Sequence, residues 1–270
     1  MVDLPELPFI DTVMTTIEFY GLDTRLPVAQ AKTLIESICG LLDEMPSHAH
    51  VGLGERKRNR GPRFGMLDKA IAKGDFDEYT YFKGVNYFQK GNVRDCSLAV
   101  GVSEIVRNRE FEIHFKRVRE KPVDVGALLD EVLERASPQY GILYDLTVRE
   151  GPRWFARGIW SSGMPDPLGR ASGEFRHEYL FGKRFTDGYF RDVFKWSYLS
   201  RSHLDRIIEG MRFQDWVEEP AKKTRWLWKS NTRGRLSLLN NGCAVWTLAA
   251  VEAAEVRQRM LAAGLLMVKH

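Results

Sequence analysis

The sequence predicts an α+β fold in which antiparallel or mixed sheets carry helices on one face, arranged as two α+β halves of similar size. The first 150 residues run in the order strand, helix, several strands, helix, strand, and the last fifty give a β-β-α-β pattern. Glycine and proline are concentrated between residues 151 and 173, so we place the boundary there. The predicted halves are therefore residues 1–150 and 151–270.

The first strand and helix follow from two different periodicities. A period of two, in which residues 13, 15, 17 and 19 (Val, Thr, Ile, Phe) alternate with residues 14, 16 and 18 (Met, Thr, Glu), predicts a strand. Pro27 suits the first turn of a helix, and the apolar residues from 31 to 45 then follow the spacing of one helical face until Pro46 ends it. Residues 47–63 have no periodicity and contain several glycines, which predicts a loop, followed by a short helix at 66–73.

The rest of the first half alternates in the same way. Residues 79–82, 97–102 and 111–118 are predicted to be strands. Asp124 can cap a helix that continues to residue 136, and residues 140–148 form another strand pattern after Pro138.

The second half is clearest at its end. Asn240-Asn241-Gly242 is a strong turn signal between the strand patterns 235–239 and 243–248, and a helix over 250–263 ends at Gly264 before a strand at 265–268. Residues 151–196 are either a linker with a short strand at 154–159 or an irregular covering layer. Ser202 is expected to cap a helix with apolar positions 204, 207, 208 and 211, and residues 213–217 continue it or form a second one.

The charge is unevenly distributed along the chain. The formal net charge of +4 combines −6 in residues 1–50, +5 in 51–73, −3 in 74–150 and +8 in 151–270. A dense group of cations lies in the predicted loop and comprises Arg56, Lys57, Arg58, Arg60 and Arg63. A flexible loop rich in arginine suits phosphate backbones or an acidic protein surface, although a solvated surface loop explains it as well.

The seven tryptophans all lie in residues 151–270. The segment 225–229 has the sequence Arg-Trp-Leu-Trp-Lys, and an extended conformation would place both indoles on one face. Tryptophan and arginine are enriched at interface hot spots, and both stack on nucleic-acid bases. We therefore predict that Arg225, Trp226 and Trp228 bind a partner; an edge strand that packs two indoles into a core is the alternative.

Enzyme signatures are largely absent from the sequence. It contains no phosphate-binding loop, zinc-protease helix or nucleophile elbow, and its three cysteines are far apart and lack metal-ligand spacing. We expect no enzymatic activity, no cofactor and no metal. A weaker possibility is an enzyme whose site assembles from His177, Glu178, Asp187 and Asp192.

The N-terminal residues are not expected to form a signal peptide. Residues 1–10 carry two acids and no basic segment, and no apolar stretch approaches the ~20 residues that a membrane span needs. The expected location is the cytoplasm, and no membrane partner is expected.

Several short patterns resemble bacterial immunity proteins, which neutralise secreted toxins. Pro138-Gln139-Tyr140-Gly141 looks like the helix–strand junction of some of these families, and Ser202-His203-Leu204, Gln214-Asp215-Trp216 and Arg233-Gly234-Arg235-Leu236 look similar to bacterial proteins of that kind. The resemblance covers about a third of the chain and implies a stand-alone α+β protein that acts by binding. This chain is basic, whereas many immunity proteins are acidic and block basic nucleases.

The sequence therefore predicts a non-enzymatic protein that binds another protein, and the resemblance implies that the protein is bacterial and that its partner is a toxin. The alternative is a nucleic-acid-binding protein that uses the arginine-rich loop together with the tryptophan-rich half.

Overall fold

The structure, a computed structural model, describes residues 9–53, 57–88, 96–105, 108–117, 122–182, 184–219 and 233–269, with the backbone alone at 57–61, 105 and 182. It contains an antiparallel sheet system with helices, so the predicted α+β class is confirmed. Contacts within the chain define two compact units. The first consists of the described residues up to 138, with 145–155 and 161–164; the second consists of 139–144, 156–160 and 165–269. The division of the chain into halves at 1–150 and 151–270 stays a prediction.

The first unit contains most of the strands. Its elements in chain order are β1 (Val13–Tyr20), α1 (Val28–Leu42), β2 (His48–Leu53), β3 (Lys57–Arg63), α2 (Asp68–Ile71), β4 (Tyr79–Tyr87), β5 (Cys96–Ile105), β6 (Asn108–Lys116) and α3 (Val125–Leu133). Two later elements, β7 (Tyr140–Thr147) and α4 (Pro152–Ala156), contribute residues to both units.

The strands of the first unit lie in the order β1-β6-β5-β4-β2-β3, and all neighbours are antiparallel. Helix α1 packs on one face of this sheet and also contacts α3. Ile35 of α1 comes so close to Gly84 that a Cβ there would lie 3.0 Å from the Ile35 side chain. The predicted packing on one face holds for α1, which lies on the Gly84 side, but Arg153 of α4 binds Glu112 on the opposite side of the sheet.

The prediction of a loop at 47–63 is wrong. Residues 48–53 form β2 and 57–63 form β3, which pair in register from Leu53↔Lys57 to His48↔Arg63 around a bulge. On β2, Ala49 and Val51 are buried and alternate with polar residues or glycine, a pattern too short to register as periodic. Strand β3 has no apolar residue, so its position depends on backbone pairing with β2, which a hydrophobicity pattern does not report.

The second unit has a smaller antiparallel sheet in the order β7-β8-β12-β11. Its further elements are α5 (Asp166–His177), β8 (Trp196–Leu199), α6 (Arg201–Leu204), β9 (Ile207–Ile208), β10 (Met211–Arg212), α7 (Phe213–Glu218), β11 (Arg235–Leu238), β12 (Ala244–Thr247) and α8 (Ala250–Ala262). The hairpin at Asn240-Asn241-Gly242 and the last helix are confirmed. At 265–268 the described contacts include a single bridge, from Leu266 to Phe190, in place of the predicted strand.

Two local predictions in this region are wrong. Residues 152–156 form α4, so the alternative that placed a strand at 154–159 is wrong; Pro152 suits the first turn of a helix. The helix that begins after Ser200 ends at Leu204, and residues 207–212 form the hairpin β9–β10. Glu209 and Gly210 have φ angles of 52° and 83°, which fit a two-residue hairpin turn and interrupt the helical spacing of the apolar residues.

Candidate functional site

Four of the basic residues predicted to bind a partner lie on an edge strand rather than in a flexible loop. Strand β3 is the last strand in the order β1-β6-β5-β4-β2-β3. In its register with β2, Arg58 is opposite Gly52, Arg60 is opposite His50, and Arg63 is opposite His48. Arg63 is exposed.

Lys57 begins this strand, whereas Arg56 lies outside the described residues. The backbone register thus pairs three arginines of β3 with alternate residues of β2.

Aromatic side chains lie beside this basic strand. The His50 ring centroid lies 6.3 Å from that of Tyr81 and 6.2 Å from that of Tyr87 on β4, and the centroids of His48 and Tyr87 are 6.0 Å apart. Nε2 of His50 and the Tyr87 hydroxyl are 3.4 Å apart. His48 is exposed and the other three are partly exposed. We define the basic–aromatic surface as strand β3 together with His48, His50, Tyr81 and Tyr87.

Sequence reasoning missed the aromatic part of this surface. It placed His48 and His50 in a loop, where their side chains need not share a direction. On a strand, residues two apart share a face, and the alternation of His48 and His50 with buried Ala49 and Val51 is the signal that could have located them.

The same sheet contains a buried ionic cluster next to this surface. In register across the strands, Glu18 of β1 is opposite Glu112 of β6, and Gly101 of β5 lies between Glu112 and Lys83 of β4. The Glu112 carboxylate forms salt bridges with Lys83 and Arg153. The side chains of Glu112 and Lys83 are only 1% and 4% exposed, so this pair is a buried one.

Gly101 is what allows the lysine to reach its partner. A Cβ at position 101 would lie 2.7 Å from the Lys83 Cα and 3.0 Å from its Cγ. Any side chain there would occupy the path that Lys83 takes across β5 to Glu112. The cluster therefore depends on glycine at this position.

His114 adjoins the cluster as a neutral, buried ring. Its Nε2 lies 3.3 Å from the carbonyl oxygen of Cys96, which can only accept, so Nε2 carries the proton and donates. Nδ1 then accepts from the Thr16 hydroxyl at 2.8 Å. Burial lowers the pKa of His114 to about 3; Glu112 raises the pKa and Arg153 lowers it by smaller amounts. The ring is therefore a structural link between β1, β5 and β6 at neutral pH.

A small recess lies beside this ring and is lined by Val148, Gly151, Pro152, Arg153, Trp154, Cys96 and His114. Its volume of about 30 Å³ has room for one or two water molecules. Within the ranges that the structure describes, no group of three or more acidic, histidine or cysteine side chains is arranged to hold a metal ion. The salt bridges of the ionic cluster connect β4, β6 and α4 through Glu112.

The neutral state of His114 predicts that stability falls in mild acid. The unfolded ring titrates near pH 6.5 and the folded ring near pH 3, so below pH 6.5 the unfolded chain binds a proton that the folded chain does not. The contribution of the neutral ring to the free energy of unfolding is fully present above pH 6.5 and decreases by about 1.4 kcal/mol for each pH unit below it. Burial also lowers the pKa of His203, in the second unit, to about 3, so this residue should add a similar dependence of stability on pH.

Urea unfolding measured between pH 7.5 and pH 5 checks this expectation. The variant His114→Gln keeps a donor and an acceptor but does not titrate, so it should have a markedly shallower pH dependence. An unchanged slope in His114→Gln would mean that the buried ring is protonated in the folded protein.

The tryptophan-rich half separates into buried and exposed indoles. Trp216 and Trp246 are fully buried and Trp196 is 9% exposed, so these three belong to the core. Trp154 and Trp160 are 44% and 60% exposed. The predicted partner-binding residues Arg225, Trp226 and Trp228 lie outside the described residues, and their role stays a prediction.

The residues of the weaker enzyme hypothesis have separate partners. Asp192 forms a salt bridge with Arg257 at 2.7 Å, and Glu178 lies 3.7 Å from Arg184. The His177 ring contacts that of Phe181, at a centroid distance of 5.6 Å. Burial raises the pKa of Asp192 even though Arg257 opposes the shift. These contacts give local partners to His177, Glu178 and Asp192, and the enzyme hypothesis stays a prediction.

In the part of the chain that the structure describes, no helix combines the length and the apolar character that a membrane span requires.

Comparison with known proteins gives a likeness in fold. No protein-family profile matches the sequence, and no curated protein is similar to it. Among solved structures, the Pseudomonas aeruginosa T6SS protein PA0821 is similar, with a TM-score of 0.56 at 9% sequence identity. The likeness covers 95% of this chain and 73% of that protein. This chain therefore shares its α+β fold with a protein of a bacterial secretion system.

Proposed function

We propose that this chain acts by binding another protein, and that it is an immunity protein that neutralises a secreted toxin. The observation that carries the proposal is the likeness in fold, over nearly the whole chain, to a T6SS protein, where T6SS denotes a type VI secretion system. A toxin-neutralising protein is needed wherever toxins are secreted. The sequence patterns around residues 138–141 and 202–204 resemble immunity proteins independently of this fold comparison.

The basic–aromatic surface supports binding as the mode of action. Arginine and tyrosine are enriched at the centres of protein interfaces, and both occur here beside an edge strand. The ionisable groups behind this surface are occupied in the buried cluster of Glu112 and Lys83, which holds the sheet together. We therefore propose a binding protein without enzymatic activity.

The sign of the charge indicates the kind of toxin. A surface with four cations in seven residues, Lys57 to Arg63, favours an acidic face on the partner. Basic nucleases, which many acidic immunity proteins block, do not fit that face. The proposed partner is thus a toxin that presents acidic residues at its contact surface.

Growth rescue tests the proposed function. When the product of the adjacent open reading frame is expressed alone in a heterologous host, we expect growth to stop, and co-expression of this chain should restore it. The two proteins should purify as an equimolar complex with an interface of about 1,600 Å² in total. Co-expression with an unrelated toxin serves as the control and should give no rescue. Absence of both rescue and complex would contradict the proposal.

Nucleic-acid binding is the second candidate, because cations beside Tyr81 and Tyr87 could hold phosphates while the rings stack on bases. If this second candidate is right, the chain should bind single-stranded or duplex oligonucleotides with an affinity that falls steeply as the salt concentration rises.

A further inference from the structure

The outer edge of β3 is the feature from which we draw a further inference. β3 pairs with β2 along one side and ends the strand order of the first unit, so within the described ranges no strand pairs with its other side. An edge strand presents N–H and C=O groups that can pair with another extended chain. Seven residues span about 23 Å, enough to pair with a segment of five to seven residues.

We propose that this edge receives an extended acidic segment of the partner protein, which adds to the sheet as a further strand beside β3. The inference rests on the proposed function and specifies how the toxin is bound. Main-chain hydrogen bonds would supply affinity, and side chains at alternate positions would supply specificity.

The charge of β3 argues against a second copy of this chain as the occupant. Lys57, Arg58, Arg60 and Arg63 are all cationic and the strand contains no acid. Two such strands side by side would place like charges opposite one another, which is destabilising. Lysine, proline and a bulge at an edge are also features that prevent self-association, and β3 has Lys57, Pro62 and a bulge in its pairing with β2.

The same charges favour an acidic strand. Opposite charges in directly facing positions stabilise a strand pair, and three arginines lie within six residues of β3. The Pro62 nitrogen cannot donate, so the pairing should centre on residues 57–61. The segment that fits is therefore extended, alternates acidic with β-branched residues, and lacks proline.

Peptide binding to the intact chain tests this inference. The probe is a capped nonapeptide of alternating glutamate and valine; one control is the same peptide N-methylated at two consecutive central residues, and another replaces glutamate with lysine. We expect the acidic probe to slow hydrogen exchange in residues 57–63, and we expect N-methylation to weaken binding by about 10-fold or more, because it removes backbone donors on both edges without changing charge.

Variants of the chain separate charge from backbone pairing. The triple change Arg58→Ser, Arg60→Ser and Arg63→Ser should lower the affinity for the acidic probe by about 10-fold or more. Arg201→Ser, in the second unit at a side chain 86% exposed, is the matched control and should bind as the original chain does. Thermal unfolding of both variants should match that of the original chain, since neither removes a described core contact.

Three outcomes would overturn the inference: equal binding of the N-methylated and unmodified peptides, absence of protection at 57–63, or tighter binding of a single-stranded oligonucleotide of equal charge. Growth rescue distinguishes this inference from the proposed function. If the triple variant rescues as well as the original chain, β3 pairing is wrong while the immunity function stands. If the peptide pairs with β3 but the original chain gives no rescue, the proposed function fails instead.

Discussion

Replacing Glu112 with alanine is expected to lower the free energy of unfolding by about 3–5 kcal/mol. The carboxylate is 1% exposed and accepts hydrogen bonds from both Lys83 and Arg153. Without it, the ammonium group of Lys83 stays buried with its main counter-charge removed, which costs far more than the loss of an exposed pair. Urea unfolding followed by circular dichroism, with hydrogen exchange in β6 as a local reading, measures the effect.

Two controls identify the cause of this loss. Glu104→Ala removes a carboxylate of the same sheet that is 33% exposed and lies 3.6 Å from Arg109, and it should cost less than about 1 kcal/mol. The combined change of Lys83→Met, Glu112→Leu, Arg153→Leu and Glu18→Gln removes every charge of the cluster, including the buried Glu18 carboxylate opposite Glu112, so most of the lost stability should return. If the combined variant is as unstable as Glu112→Ala, the cause is packing rather than an uncompensated charge.

The sequence predicted the elements whose residue pattern repeats at the period of a helix or a strand. Helix α1 was recognised because its apolar positions recur at the spacing of the face that it buries. Strand β1 was recognised from its alternation, although every residue after Val13 is buried, so both of its faces are covered. Strand β3 could not be recognised in this way, since its residues are polar and its conformation is imposed by pairing with β2. The apolar positions 204, 207, 208 and 211 fit a helix equally well, and only the turn at Glu209-Gly210 separates the two structures.

The candidate site was predictable in composition but not in arrangement. The group of cations was evident in the sequence, and its members from Lys57 to Arg63 lie on an edge strand that pairs with the strand of His48 and His50. The buried cluster was not predicted, because Glu112 and Lys83 are 29 residues apart and meet only through the register of three strands. Long-range pairings of this kind depend on strand order, which local patterns do not specify.

The core of the second unit should be as sensitive as the ionic cluster, and Trp246→Ala is expected to cost about 3–5 kcal/mol. The indole is fully buried, and its centroid lies 5.1 Å from that of Phe213 and 6.1 Å from that of Phe190, both nearly perpendicular to it. Its Nε1 donates to the Arg233 carbonyl oxygen at 2.9 Å. Alanine would leave a large cavity among these rings and would also remove the hydrogen bond.

Two further variants divide this loss between packing and hydrogen bonding. Trp246→Phe keeps much of the ring volume but leaves the Arg233 carbonyl oxygen without the indole donor, so it should cost about 1–3 kcal/mol. Trp160→Ala, in the same unit but 60% exposed, should change stability by less than about 1 kcal/mol. Chemical unfolding of the three variants gives the comparison. If Trp160→Ala costs as much as Trp246→Ala, the stability of this unit does not follow the burial of its indoles, and the assignment of Trp246 to its core is wrong.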